Sequence, residues 1–414
     1  MINTFIAEDI ETIFRRRFST AADVQLLHDG GDSFTSIFEA VAGAERFICL
    51  IFYIFRNDST GIGLAEILKR KSREGIRVYI IYDHFGSFFT PRSFWRDMKD
   101  AGIRVRASRP FKWTSPLLYV HRDHRKLIII DQKTAFTGGL NIANEYSGFH
   151  LKLRVKAWRD TGVMLEGPIV RELMKSFIKS WYTCRGEQIA FPDVPLPGQS
   201  SFRMKIASLR KRLLRKQSHE ELPDEEAEIP TAGLPTIPIF VDSARGRRRM
   251  RRLLYYSINH SKRGIDLTTA YFIPSRRMVE TLEKAVKRGA RVRLLAAGKS
   301  DMPLASYAGK AFFSRLLKAG VEIYTYTGEI LHAKTFLFDG CWTIIGSTNL
   351  DFRSLRYNDE GNVGILDAGF AEKMTALFER DLMQANRLKL EHWIERPLVQ
   401  KVMEFIFSSF RRRL

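Results

Sequence analysis

An α/β fold of two tandem modules, each a mixed β-sheet flanked by helices, with one active site shared between them, is what this 414-residue sequence predicts. Three observations carry the prediction. The length suits two domains, each large enough to bury its own core. Strand-like apolar runs alternate with helical segments in each half. The order of these segments in the first half returns in the second, the signature of a duplicated unit.

The elements follow in register. An apolar run from Cys49 to Phe55 leads to a helical segment, then to a strand beginning at Gly75-Ile76-Arg77-Val78, another helix, and a third strand from Ala101-Gly102-Ile103. The second half repeats this with Ile265 to Ile273, a helix from about Arg277, a strand from Gly289-Ala290-Arg291-Val292, a further helix and Ala319-Gly320-Val321. Gly75 and Gly289 are 214 residues apart, and Gly102 and Gly320 are 218 apart. Near-continuous apolar strands indicate sheets buried on both faces. Six prolines between Pro192 and Pro235 mark the join. The expected division is a first module at 1–185, a linker at 186–236 and a second module at 237–414. Within the linker, Phe202, Ile206, Leu209 and Leu213 recur at helical spacing among basic residues, which predicts a basic amphipathic helix over Phe202–Lys216. An acidic stretch from Glu220 to Glu228 follows it.

Composition narrows the function. With 45% hydrophobic and 27% charged residues the chain is an ordinary globular protein, neither disordered nor fibrous. A net charge of +21 predicts a polyanionic partner: nucleic acid, anionic lipid or a phosphorylated substrate. Three widely spaced cysteines show no metal-ligand pattern and fit a reducing compartment. The longest apolar run, Phe47 to Phe55, falls short of the roughly 20 residues a membrane-crossing helix needs. The N-terminus lacks the pattern of a secretory signal, so a cytoplasmic address is expected.

The chemistry lies in two copies of one motif. The first runs from His124 through Lys126 to Asp131 and is followed by Gly138-Gly139-Leu140-Asn141; the second runs from His332 through Lys334 to Asp339 and is followed by Gly346-Ser347-Thr348-Asn349. The histidines are 208 residues apart, in step with the repeat. Alternation along a strand puts each histidine on the same face as its lysine. Two lysines and the amides of Asn141 and Asn349 would hold the charged oxygens of a phosphodiester, and Gly139 and Ser347 in the same loops join them as candidate substrate-binding residues. One neutral histidine would attack phosphorus while the other, protonated, supplies the leaving group's proton. Each imidazole needs a partner at its second nitrogen, and the candidates are Asp160 and Glu360, expected to fold back onto the histidines 36 and 28 residues before them in their own halves. Asp131 and Asp339 count with the catalytic motif, although seven residues of strand, roughly 23 Å, favours structural pairing. Neither a metal nor another cofactor is expected, since no ligand cluster is visible.

These motifs resemble the phospholipase D superfamily and, more narrowly, bacterial cardiolipin synthases without a transmembrane anchor. The resemblance extends to Tyr53-Ile54-Phe55, Asp83-His84-Phe85-Gly86-Ser87, Asn141-Ile142-Ala143-Asn144-Glu145-Tyr146, Trp158-Arg159-Asp160-Thr161, Tyr271-Phe272-Ile273-Pro274 and Asn349-Leu350-Asp351-Phe352-Arg353-Ser354. It implies phospholipase D-like modules related by a pseudo-twofold axis, and metal-independent transfer of a phosphatidyl group between two phosphatidylglycerol molecules. It also implies His124 as nucleophile and His332 as acid, an order on which the sequence itself is symmetric. The implied partner is anionic phospholipid, not nucleic acid, at the cytoplasmic face of the bacterial membrane. Peripheral attachment would come from Met1–Phe18, Phe202–Lys216 or the stretch from Pro397 to Leu414, whose Val402, Phe405, Ile406, Phe407 and Phe410 precede three arginines.

Overall fold

The computed structural model describes residues 5–28, 30–111, 121–149, 156–187, 189 and 233–409. Most of the expected linker, including Phe202–Lys216 and the acidic stretch, lies outside the described residues, as do Phe410 and the terminal arginines.

Two sheets are present. The first module supplies β2 (Asp23–Leu27), β3 (Phe47–Phe52), β4 (Arg77–Asp83), β5 (Arg104–Ser108), β6 (Leu127–Ile130), β7 (Thr134–Gly138) and β8 (Gly162–Glu166), in spatial order β2-β8-β7-β6-β3-β4-β5. The second supplies β9 (Leu234–Val241), β10 (Gly264–Thr269), β11 (Arg291–Ala297), β12 (Glu322–Tyr326), β13 (Thr335–Phe338), β14 (Trp342–Gly346), β15 (Glu360–Leu366) and β16 (Ala385–Arg387). Its order is β9-β15-β14-β13-β10-β11-β12, with β1 (Ser19–Ala21) added at the β9 edge and β16 at the other. Seven positions therefore match one for one. In each sheet three neighbours run parallel, β3-β4-β5 and β10-β11-β12, and the remaining pairings are antiparallel. The duplication read from the sequence is thus a duplication of mixed sheets.

Alternation divides each strand between two cores. Phe47, Cys49 and Ile51 of β3, with Leu127 and Ile129 of β6, join a cluster that also contains Leu337, Ile345, Val363 and Ile365 of the second sheet. Ile48, Leu50, Phe52, Ile128 and Ile130 face the other way, into a core against the helices Gly30–Ala42 and Ser59–Arg73. The inner cluster includes residues of helix Ile169–Thr183 and helix Ala368–Leu382, so one core runs through both modules and fixes them against each other. Local chemistry sets the helix starts: Asp58, Ser275 and Asp367 each accept from a backbone N–H in the first turn of the helix that follows.

The N-terminus departs from the expected division. β1 pairs with β9, Ser19 opposite Thr236, and the preceding helix Ala7–Phe14 contributes Ile10 and Phe14 to the second module's outer core. Residues before β2 thus complete the second sheet although they precede the first. β9 itself opens at Leu234, slightly ahead of the expected boundary.

Candidate active site

Each histidine–lysine pair stands just ahead of a strand, on the extended segment entering β6 or β13, and these two segments meet where the modules touch. Asp123 bridges in parallel to Asp359, and Leu331 to Arg159. The His124 N–H donates to the Asp359 carbonyl at 2.8 Å, and the His332 N–H to the Arg159 carbonyl at 2.7 Å. In both cases the residue after that carbonyl is the candidate orienting carboxylate.

This register corrects the expected pairing. The carboxylates do not return to the histidines of their own halves; they cross. His332 Nδ1 lies 2.6 Å from Asp160 Oδ2, and His124 Nδ1 lies 3.1 Å from Glu360 Oε2 and 3.2 Å from the Ser347 carbonyl. With its Nδ1 so engaged, each imidazole presents Nε2 to the pocket. The Lys126 ammonium donates to the His124 carbonyl at 2.7 Å, and that of Lys334 to the His332 carbonyl.

A cavity of about 240 Å³ opens onto both rings, walled by Tyr53, Asn141 and Tyr146 of the first module and Tyr271, Asn349 and Arg353 of the second. Both modules therefore contribute to one site. Asn141 and Asn349 point their oxygens at backbone N–H groups of Ile54 and Tyr271, at 3.1 and 3.3 Å, which fixes the amides at the cavity wall. Gly139 and Ser347 do not line the cavity; they support the carboxylates behind it. A Cβ on Gly139 would come within 2.0 Å of Asp160 Oδ1, so only glycine leaves that carboxylate its place. The Ser347 hydroxyl donates to Glu360. Asp131 and Asp339 also fall outside the cavity. Asp131 accepts from the N–H groups of Glu45, Arg46 and Phe47 at 2.7 to 2.8 Å, and Asp339 from those of Lys262, Arg263 and Gly264 at 2.8 to 3.0 Å. Each pins the chain entering the neighbouring strand, which corrects their place in the catalytic set and agrees with structural pairing.

Burial shapes the ionisation of the site. Loss of water, together with the neighbouring lysine, lowers His332 to about 4 and also lowers His124. Burial and Lys334 bring Lys126 down to about 7, and burial brings Lys334 to about 8. Burial alone would raise Asp160 and Glu360, but the histidine and lysine charges beside them hold both below the ordinary carboxylate value. Both lysines are buried, and neither is among the residues that wall the cavity.

Three tyrosines carried the resemblance but no assigned role. The Tyr53 ring meets His124 edge-on at 4.9 Å between centroids and lies 5.4 Å from the Lys126 ammonium. Tyr146 and Tyr271 stand at 5.3 and 6.5 Å from His332. Tyr53 and Tyr271 are 218 residues apart, the repeat offset, and that spacing was the signal that could have found them.

The comparisons with known proteins bear on family and fold. The sequence profile described as cardiolipin synthase, PLD-like domain, matches residues 37–181 and 254–382. A probable cardiolipin synthase of Bacillus subtilis is 30% identical over 95% of this chain and 72% of its own length. A cardiolipin synthase of Geobacillus kaustophilus is 30% identical over 94% of this chain and 72% of its own. Among solved structures, phosphatidylserine synthase of Haemophilus influenzae superposes with a TM-score of 0.72 at 16% identity, covering 98% of this chain and 97% of that one, a likeness of fold. With more than half of its residues inside the matched stretches, one in each module, the chain belongs to the cardiolipin synthase family of phospholipase D-like proteins.

Proposed function

We propose that this protein is a cardiolipin synthase: it moves a phosphatidyl group from one phosphatidylglycerol to the terminal hydroxyl of another and releases glycerol. The observation that carries the reading is the pair of histidines, each with a buried lysine and a carboxylate from the opposite module, facing one cavity. Their order follows the family resemblance. Neutral His124 attacks the donor phosphorus through Nε2, and the P–O bond to glycerol breaks as His332 delivers its proton to the departing oxygen. His332 then takes the proton of the acceptor hydroxyl, whose oxygen attacks phosphorus and breaks the P–N bond. Lys126 and Lys334 neutralise the non-bridging oxygens throughout, so the reaction proceeds without a metal. The entering phosphate raises both the histidine and lysine pKa values, which supplies the proton that His332 must carry.

The approach to the site suits a lipid surface. Phe85, Phe88 and Phe89 project from the loop after β4, with Phe89 91% exposed, and Ser87 of that loop donates to the Tyr53 carbonyl at the cavity wall. Across the cavity, Met302 and Leu304 are exposed at the start of helix Pro303–Lys310. Helix Leu398–Ser409 packs beside it through Phe407 and leaves Leu398, Val399, Val402 and Phe405 open to solvent. No helix among the described residues is long and apolar enough to cross a membrane. Attachment through this rim would be peripheral, at the cytoplasmic leaflet.

The test is incubation of the purified protein with phosphatidylglycerol vesicles in EDTA, with lipid products read by mass spectrometry. Cardiolipin and glycerol are expected. Phosphatidic acid alone would make the protein a hydrolase, and a requirement for added divalent ion would overturn the metal-free mechanism. Removing residues 397–414 is expected to lower cosedimentation with these vesicles; unchanged binding would assign the segment to internal packing.

A further inference from the structure

A second cavity, of about 590 Å³, adjoins the first. Its wall carries five arginines: Arg248, Arg251 and Arg252 from helix Ala244–His260, Arg277 from helix Arg276–Lys287 and Arg356 from helix Phe352–Arg356. Arg248, Arg251, Arg252 and Tyr255 stand at i, i+3, i+4 and i+7, one face of one helix. Asp351 is the single carboxylate on the wall, and among the described residues none of the five arginines forms an ion pair. Their partners are neutral: Arg251 donates to the Leu355 carbonyl, while Arg277 and Arg356 lie 4.6 and 5.2 Å from the rings of Tyr255 and Phe352. Four of the five are exposed, so an anion entering the cavity meets several guanidinium groups at once.

Position gives the anion a role. Asp351 is common to the walls of both cavities. Along the short helix behind it, Arg353 lines the catalytic cavity and Arg356 the arginine cavity, three residues or about 4.5 Å of axial rise apart. Tyr271 and Ile273 face the first cavity, Ser275 and Arg277 the second, on one continuous segment. Cardiolipin carries two phosphates joined by a single glycerol, so an enzyme that makes it must hold two anions one glycerol apart. The catalytic cavity accounts for one.

We propose that the arginine cavity is the acceptor subsite, binding the phosphodiester of the phosphatidylglycerol whose hydroxyl attacks the histidine-bound intermediate. The proposal rests on the phosphatidyl-transfer reading and refines it. Seating the acceptor by its charge sends the free end of its headgroup towards His332, with three carbons between the attacking oxygen and the phosphate ester. Water and small alcohols, which carry no phosphate, gain nothing from these arginines. The subsite therefore favours transfer to lipid over hydrolysis.

The experiment uses the full-length protein on phosphatidylglycerol vesicles containing ethanol, so that cardiolipin and phosphatidylethanol form from one shared intermediate. Arg248 and Arg252 are exposed, and replacing both with glutamine leaves the core untouched. The Arg248→Gln/Arg252→Gln double variant is expected to lower the ratio of cardiolipin to phosphatidylethanol at least tenfold, and Arg248→Lys/Arg252→Lys to restore part of it. An unchanged ratio, with both products falling together or not at all, would overturn the acceptor subsite. If the unaltered protein gives phosphatidylethanol but no cardiolipin, the synthase reading itself fails. The cavity is then judged by binding of soluble glycerophosphoglycerol to His124→Ala, followed by phosphorus NMR. Binding weakened by the double arginine change supports a headgroup site, and binding unaffected by it, or matched by inorganic phosphate, overturns one.

Discussion

His124 and His332 occupy matching places in matching sheets, yet their surroundings differ. Beside His124 the chain is ionic: Asp123 receives two bonds from Arg125 at 2.6 and 2.7 Å, its N–H donates to Asp83 at 2.8 Å, and Arg109 and Arg247 pair with Asp359. Beside His332 the equivalent positions are Leu331 and Ala333, packed with Leu295, Ala297, Tyr326 and Phe378. The carboxylate contacts differ too. Asp160 approaches His332 to 2.6 Å, whereas Glu360 stands 3.1 Å from His124 and shares that nitrogen with a carbonyl. The lesson is that duplication kept the histidine–lysine pairs and let their supports diverge. The closer carboxylate sits with the histidine to which the proposed order gives the acid–base role, and burial beside Lys334 nonetheless keeps that imidazole low, at about 4.

The sharpest way to break the comparison is to remove each imidazole. His124→Ala and His332→Ala should each lower kcat on the order of 10³- to 10⁴-fold with circular dichroism unchanged. Acid quenching of a reaction on labelled phosphatidylglycerol should trap the label on His124; label on His332 would invert the assignment. Next in size are the carboxylates. Asp160→Asn should reduce kcat roughly 10²-fold and Glu360→Gln about 10-fold, because the shorter contact orients the acid–base group. Equal losses would remove the asymmetry. A smaller effect is expected from pH. Lys126 and Lys334, at about 7 and 8, are charged below those values and neutral above them. Donor capture should therefore weaken as pH rises through 7 to 8, seen as a fall in kcat/KM, while kcat, reported by the phosphate-bound state, should fall only at higher pH. A kcat/KM flat to pH 10 would show that the lysines keep ordinary values. Smallest for the chemistry are Asp131→Ala and Asp339→Ala, which should leave kcat per folded molecule unchanged. Each should cost about 1–3 kcal/mol of stability in denaturant titrations, since three backbone N–H groups lose their acceptor. A drop in kcat instead would return these aspartates to the catalytic machinery.

Much of this arrangement was legible in the sequence. The duplicated strands and the two histidine–lysine pairs were visible because a buried parallel strand and a repeated motif leave local patterns. The crossing of Asp160 and Glu360 was not, because spacing along the chain suggests return within a half, while the choice of partner is made by the parallel bridges Asp123–Asp359 and Arg159–Leu331 between modules. The destination of β1 was hidden for the same reason: three residues, Ser19 to Ala21, carry little pattern until β9 offers them an edge. The arginine face of helix Ala244–His260 was present as a run, Arg247 to Arg249 and Arg251-Arg252, but its direction needed the fold. Asp131 and Asp339 lie outside the cavity, where distance along the strand put them, although membership of the motif put them with the histidines.

The crossed carboxylates also have a meaning in time. A ribosome finishes the first module well before the second, and at that moment the partners of the His124 N–H and Nδ1, Asp359, Ser347 and Glu360, are not yet made. The carboxylate is 236 residues further along the chain. The β1 strand likewise waits for an edge that begins at Leu234. A chain that stops before His332 thus holds only one wall of the cavity that the two modules share, and one that stops before Glu360 lacks the carboxylate beside His124.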